Sequence, residues 1–211
     1  LLDGAVSDPE TARSFLGIID SEADRMNRLV KDLLQLSRME NNQEKWNMKE
    51  SDLVKLLTSA VTKVALTAEA KKQKLNCLFE ADARVAVVMD KDRIEQVILN
   101  VLANAINYTQ EGGRIDIDLV VQDREAHIII DDNGIGIPED EQSRVFERFF
   151  RVDKARSRSM GGTGLGLAIS KQIIEEHNGR IELTSRENKG TKVKIILPLS
   201  PAVTRGIPNI E

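Results

Sequence analysis

Apolar or small residues recur at Leu16, Ile19, Ala23, Met26, Val30, Leu33 and Ser37 in alternating steps of three and four. That spacing predicts a long helix with the seam of a bundle or coiled coil. Ser7 or Asp8 is placed to cap it, Pro9 suits its first turn, and Glu10 completes a capping box with Ser7. Leu29, Leu34 and Leu36 widen the stripe beyond a two-helix seam. Such a face calls for a hairpin partner or a second subunit; packing on the chain's own globular part is the other reading. The polar "NNQEKWNMKE" then reads as a linker running into a short strand around Trp46 to Met48.

Beyond it the period changes repeatedly. Asp52 to about Lys72 reads as a helix capped by Ser51, "LNCLFEA" and "ARVAVVMD" as strands, and Asp92 to Tyr108 as a strongly apolar helix. "EGG" turns the chain into the strand "RIDIDLVVQ", which pairs naturally with "AHIIIDD". A long polar segment follows Asn133, then a glycine-rich stretch, a helix to His177, and a closing hairpin in "NGRIELTSRENKGTKVKIILPL". The expected class is α+β: a two-layer α/β sandwich, antiparallel strands on one side and helices on the other, preceded by a long bundle-forming helix. The expected divisions are a helical region at 1–41, a linker and strand at 42–49, a globular domain at 50–199, and a mobile, proline-containing tail at 200–211.

Composition narrows the chemistry. Among 211 residues, 30 Lys and Arg against 34 Asp and Glu leave a net charge of −4, which argues against nucleic acid as a partner. Cys77 is the single cysteine and there are two histidines, so no internal disulfide forms and a zinc or iron–sulfur site is not expected. A reducing, cytoplasmic compartment fits. No apolar run is long enough to span a bilayer and no signal peptide is visible. The opening "LLDGAV", with no initiator Met, reads as the end of a helix, so the sequence is expected to be a piece of a longer protein.

Candidate chemistry concentrates in four stretches. "MGGTGLGLAISKQIIEEHNG" puts bare backbone at a helix entrance, where unpaired N–H groups and the helix dipole favour a phosphate. It is neither a P-loop nor a dinucleotide turn, since Leu167 stands where each motif requires another residue, and a flexible turn before an ordinary helix is the other reading of this segment. In "DRIEQVILNVLANAINYT", Ile94, Val97, Ile98, Val101, Leu102 and Ala105 share one helix face while Gln96, Asn100, Asn104 and Asn107 share the other. Neutral carboxamides offer hard oxygen ligands without added charge, suiting Mg²⁺ already shared with phosphates; a solvated polar face is the plainer reading. "IIIDDNGIGIPED" carries a strand into Asp132, whose carboxylate is placed to accept from an amino group; an Asn-Gly turn with a capping Asp is the plainer reading. "RVFERFFRVDKARSRS" sets Phe146, Phe149 and Phe150 among Arg144, Arg148, Arg151, Lys154, Arg156 and Arg158, as apolar anchors of a basic lid or as a basic solvated loop.

The order of these pieces resembles the catalytic and ATP-binding domain of sensor histidine kinases, in the wider family shared with gyrase B, Hsp90 and MutL. The resemblance covers roughly Glu50 to Leu199, is nearest the WalK/PhoR-like kinases, and extends upstream, where 1–41 is similar to the second helix of a dimerisation and phosphotransfer hairpin. It implies ATP and Mg²⁺ as cofactors, with Asn104 as the metal ligand and Asn100 beside the phosphates. Tyr108 would pack near the nucleotide. Asp132 would accept from the adenine amino group, assisted through water by Thr191, with Gly134 and Gly136 shaping the base pocket. Arg151, Arg148 and Lys154 would neutralise phosphate. Gly162, Thr163, Gly164, Leu165, Gly166 and Leu167 would close over the triphosphate as the hinge of a lid. It further implies transfer of the γ-phosphate to a histidine, relay to a response-regulator aspartate, a homodimer through the hairpin, and membrane anchorage only through segments upstream. Two departures stand out. Asn107 occupies a position where many relatives carry Lys, and neither His127 nor His177 suits the acceptor, which is expected on a helix before Leu1. A clamp ATPase and a non-catalytic nucleotide-binding module are the alternatives; the former uses a Glu where this chain has Asn100.

Overall fold

The computed structural model describes residues 8–41, 43–152 and 162–201. Asp8 caps the first helix, accepting from the backbone N–H of Glu10 and Thr11 at 3.4 and 3.3 Å, while Ser7 lies outside the described residues. Helix α1 then runs Pro9–Glu40. Its expected seam is bare: Leu16, Ile19, Met26 and Val30 are 51–62% exposed. Only Leu36 and Met39, at its C-terminal end, enter the core of this chain.

Strand β1 is Lys49–Asp52, later than the expected Trp46 to Met48. Trp46 instead meets the ring of His177 edge-on at 5.5 Å. Asp52, one residue past the expected Ser51, caps α2 (Leu53–Ala70) by accepting from Val54 N–H. Strands β2 (Lys74–Cys77) and β3 (Ala86–Met89) precede α3, Lys91–Tyr108, which Asp90 caps through Arg93 N–H. Strands β4 (Arg114–Gln122) and β5 (Glu125–Asp132) follow, then a single helical turn α4 (Glu139–Gln142) inside the long polar segment. Helix α5 (Gly166–Glu176) and strands β6 (Arg180–Arg186) and β7 (Gly190–Pro198) complete the order. The two-layer α+β architecture is as expected, with two corrections. The five-stranded sheet β2-β4-β5-β7-β6 is mixed, because β2 lies parallel to β4, and β3 leaves it to pair antiparallel with β1 in a sheet of two.

The register of this sheet explains where the site lies. Residues alternate on β5, so Ala126, Ile128, Ile130 and Asp132 all face the helices. Across β7 they meet Leu197, Ile195, Val193 and Thr191 in turn. Three apolar pairs bury themselves beneath α3 and α5, and the fourth is polar. Ile117–Ile130–Val193–Leu183 forms a complete apolar row over four strands; the next row is Ile115–Asp132–Thr191–Ser185. Hydrophobic burial, worth about 25 cal/mol per Å² of apolar surface, continues into that row at Ile115 and stops at Asp132.

The linker is tied down from the other end of the domain. His177 is buried; its Nδ1–H donates to Ile173 O at 2.7 Å, which leaves Nε2 to accept from Asp90 N–H at 2.9 Å. Asp90 in turn accepts from Asn47 N–H. At the C-terminal boundary Ser200 is buried and donates its N–H to Ala86 O, while its hydroxyl meets Glu50, so the chain stays anchored through that residue. Residues 202–211, most of the expected tail, lie outside the described residues. No described helix is long and apolar enough to cross a membrane.

Candidate nucleotide site

A cavity of about 400 Å³ opens between α3, the end of the sheet and the start of α5. Its volume falls within the range for small-molecule and cofactor sites, roughly 300–1,000 Å³. The apolar face of α3 is buried, with Ile94, Val97, Ile98 and Leu102 at 0% exposure. Helical periodicity therefore turns Gln96, Asn100, Asn104 and Asn107 outward, and all four line the cavity with Tyr108. Asn100 donates its amide to Gly166 O at 3.3 Å and to Ser170 Oγ at 3.4 Å, which couples α3 to the glycine-rich entrance of α5. A cation reaches Asn107 from elsewhere: Lys71 donates to Ile106 O and to Asn107 Oδ1, at 3.0 and 3.4 Å.

At the opposite wall Asp132 is 9% exposed. One oxygen, Oδ1, accepts from Gly134 N–H at 2.8 Å and Thr191 N–H at 3.3 Å. Burial raises its carboxyl to about 6, against the pull of those two donors and with a smaller push from Asp131. Gly134 lies behind the lining rather than in it, and a Cβ there would stand 2.4 Å from Tyr108 O. Gly136 lines the cavity at φ +67°, where a Cβ would come within 2.1 Å of Arg186 O. Ile130, Ile135, Ile137, Leu183 and Val193 give this end an apolar floor suited to a planar base.

The lid residues divide. Gly162, Thr163, Gly164, Gly166, Leu167 and Arg151 line the cavity. Leu165 does not; it is fully buried in the core and anchors the segment. Gly164 O accepts from Phe149 N–H at 2.9 Å, joining the two described ends of the loop. Arg148 is also absent from the lining, because its guanidinium pairs with Glu40 of α1. Lys154, Arg156, Arg158 and Gly161 lie outside the described residues.

Several lining residues escaped the sequence reading. Arg28 and Asp32 reach the cavity from α1, and Thr163 Oγ1 donates to Asp32 Oδ2 at 2.8 Å. Gln35 and Gln96 exchange two amide hydrogen bonds of 3.0 Å, and Arg93 pairs with Glu44. Nothing in the α1 pattern distinguishes Asp32 from its other surface charges. Ser185 and Gln142 hold the floor from behind: Ile137 N–H donates to Ser185 Oγ, and Gln142 Nε2 donates to the carbonyls of Ile137 and Ser185.

Residues 89–201 match the family described as histidine kinase-, DNA gyrase B- and HSP90-like ATPase, and residues 1–42 match the His kinase A (phospho-acceptor) domain. The chain belongs to the sensor histidine kinases. Phospho-acceptor-domain sequence lies ahead of the ATPase-type domain in this chain. The sensor histidine kinase WalK of Bacillus subtilis (strain 168) is 38% identical over 200 residues, 94% of this chain and 32% of that protein. The chain thus spans about a third of the length of that relative. The solved mycobacterial sensor histidine kinase MprB is 32% identical with a TM-score of 0.64, over 72% of this chain and 99% of that one. The histidine kinase ThkA, solved in complex with the response regulator protein TrrA, is 26% identical with a TM-score of 0.73, over 92% of this chain and 53% of that one.

Proposed function

We propose that this kinase region binds ATP with Mg²⁺ in the 400 Å³ cavity and transfers the γ-phosphoryl group to a histidine outside this sequence, for relay to an aspartate of a response regulator. One observation carries the reading: the α3 carboxamides, the buried carboxyl of Asp132 and the glycine segment 162–166, distant in sequence, border one cavity.

The residues fit the groups assigned to them. Asp132 keeps Oδ2 free of the two N–H groups on Oδ1, so an ionised Asp132 presents an acceptor to the adenine amino group. Asn104 offers one neutral hard oxygen, and no group of three or more His, Cys, Asp or Glu among the described residues forms a metal cage. That suits a metal arriving with its phosphates, since Mg²⁺ is commonly held by one or two protein ligands plus substrate oxygens. Mg²⁺ bound to the triphosphate would screen its charge and orient the γ-group. Asn100 and Asn104 position the phosphates at one side, Arg151 neutralises charge at another, and the glycine segment excludes water from above.

The acceptor is not one of this chain's own histidines. His177 is buried with both ring nitrogens engaged, and His127 Nε2 lies 3.2 Å from Glu125 within β5. Asn100, where a clamp ATPase needs a carboxylate base, carries an amide that cannot take a proton from water. The exposed seam of α1, Leu16 through Val30, supplies the apolar face of a homodimer. The resemblance to ThkA supports a response regulator as the downstream partner.

The test mixes the chain, Mg–ATP and a separately made helical hairpin that carries an acceptor histidine. Acid-labile phosphate on that histidine is the expected result. Steady ATP hydrolysis with no phosphohistidine would favour the ATPase, and nucleotide binding without either product would favour a passive module.

A further inference from the structure

The polar row that ends the sheet contains a residue with no part in the reading above. Ser185 faces Thr191 across β6 and β7, and Thr191 faces Asp132 across β7 and β5. Three oxygen or nitrogen neighbours surround Ser185 Oγ: Ile137 N at 2.8 Å, Gly190 O at 2.9 Å and Thr191 Oγ1 at 2.8 Å. A serine hydroxyl has one proton and two lone pairs. Ile137 N–H donates and Gly190 O can only accept, so the Ser185 proton goes to Gly190 O. The remaining lone pair of Ser185 then takes the proton of Thr191. The opposite arrangement would leave two oxygens facing each other at 2.9 Å with no proton between them.

We propose that Ser185 is a specificity-positioning residue: by holding the Thr191 hydroxyl proton away from the cavity, it leaves Thr191 Oγ1 as an acceptor beside the carboxylate of Asp132. Both polar groups at this end of the cavity then accept and neither donates. Such an edge receives the amino group of a 6-amino purine in direct contact and turns away a 6-oxo purine, whose oxygen also accepts. Sites built around a hydrogen bond discriminate against analogues that cannot complete it. The inference rests on the ATP reading and adds to it a residue outside the cavity lining.

The experiment measures Kd for Mg–ATP and Mg–ITP by calorimetry on the full chain and on Ser185→Ala, Thr191→Ala, the double variant and Ser185→Thr. Wild type binds ATP better. Ser185→Ala frees the Thr191 proton, so the ATP-to-ITP preference narrows by about threefold to tenfold, the size of one neutral hydrogen bond. Ser185→Thr keeps the wild-type preference. In the Thr191→Ala background, Ser185→Ala leaves the preference unchanged. Equal weakening of both nucleotides by Ser185→Ala, or a shift that persists without the Thr191 hydroxyl, overturns the proposal while leaving the ATP reading intact. Wild type that binds neither nucleotide overturns both. Should Ser185→Ala not fold, neutron diffraction of the wild type decides: a Thr191 proton on the line to Ser185 supports the assignment, and one directed into the cavity refutes it.

Discussion

Thr163, in the glycine segment, donates its hydroxyl proton to Asp32 of α1 at 2.8 Å, 131 positions away in the chain. With the Arg148–Glu40 pair and the Gln35–Gln96 exchange, it makes α1 a wall of the cavity. Removing the carboxylate in Asp32→Ala is expected to loosen residues 162–165 by about 0.5–1.5 kcal/mol, the net worth of a half-exposed hydrogen bond. Hydrogen exchange in that segment should quicken while α3 stays protected. Unchanged exchange would mean that the contact does not restrain the lid.

Asp132 is expected to be the largest single determinant of base recognition. Asp132→Ala should weaken ATP by about 1.5–3 kcal/mol, roughly tenfold or more in Kd. An unchanged Kd would remove the adenine assignment.

The same carboxyl makes binding depend on pH. Burial raises it to about 6, so the folded chain holds this proton more tightly than the unfolded chain does. Its contribution to stability therefore grows as pH falls from about 6 toward the ordinary 3.8. The protein binding a 6-amino base needs the ionised form, which disappears over the same interval. Adenosine, free of titrating phosphate, should bind more weakly below pH 6 than above it, and Asp132→Asn should flatten that profile.

His177 acts in the opposite sense. Burial lowers its pKa below 6.5, so the stability supplied by the neutral ring is complete above 6.5 and is lost progressively as pH falls below it. His177→Ala leaves Asp90 N–H without its partner, while Ile173 O keeps the backbone N–H of residue 177, and should cost about 1–3 kcal/mol in chemical denaturation. The variant should also lose the acid-side decline attributable to this ring; a wild-type-like slope would place the titrating group elsewhere.

Asn104 is tested through the metal. In Asn104→Ala the ATP affinities with and without Mg²⁺ should converge to within about twofold, a difference below 0.5 kcal/mol. Retained metal dependence would move the ligand role to another residue.

Periodicity along the chain was enough to determine the four long helices, the β4–β5 pair, the closing hairpin and the outward face of α3, because each depends on side chains a few residues apart. The parallel pairing of β2 with β4, the departure of β3 and the capture of Arg148 by Glu40 were decided by the tertiary structure alone. These join positions tens of residues apart or depend on which neighbour claims a shared donor. Local pattern carries no record of either, since pairing energy becomes defined only once the sheet and helices have brought the groups within hydrogen-bonding reach.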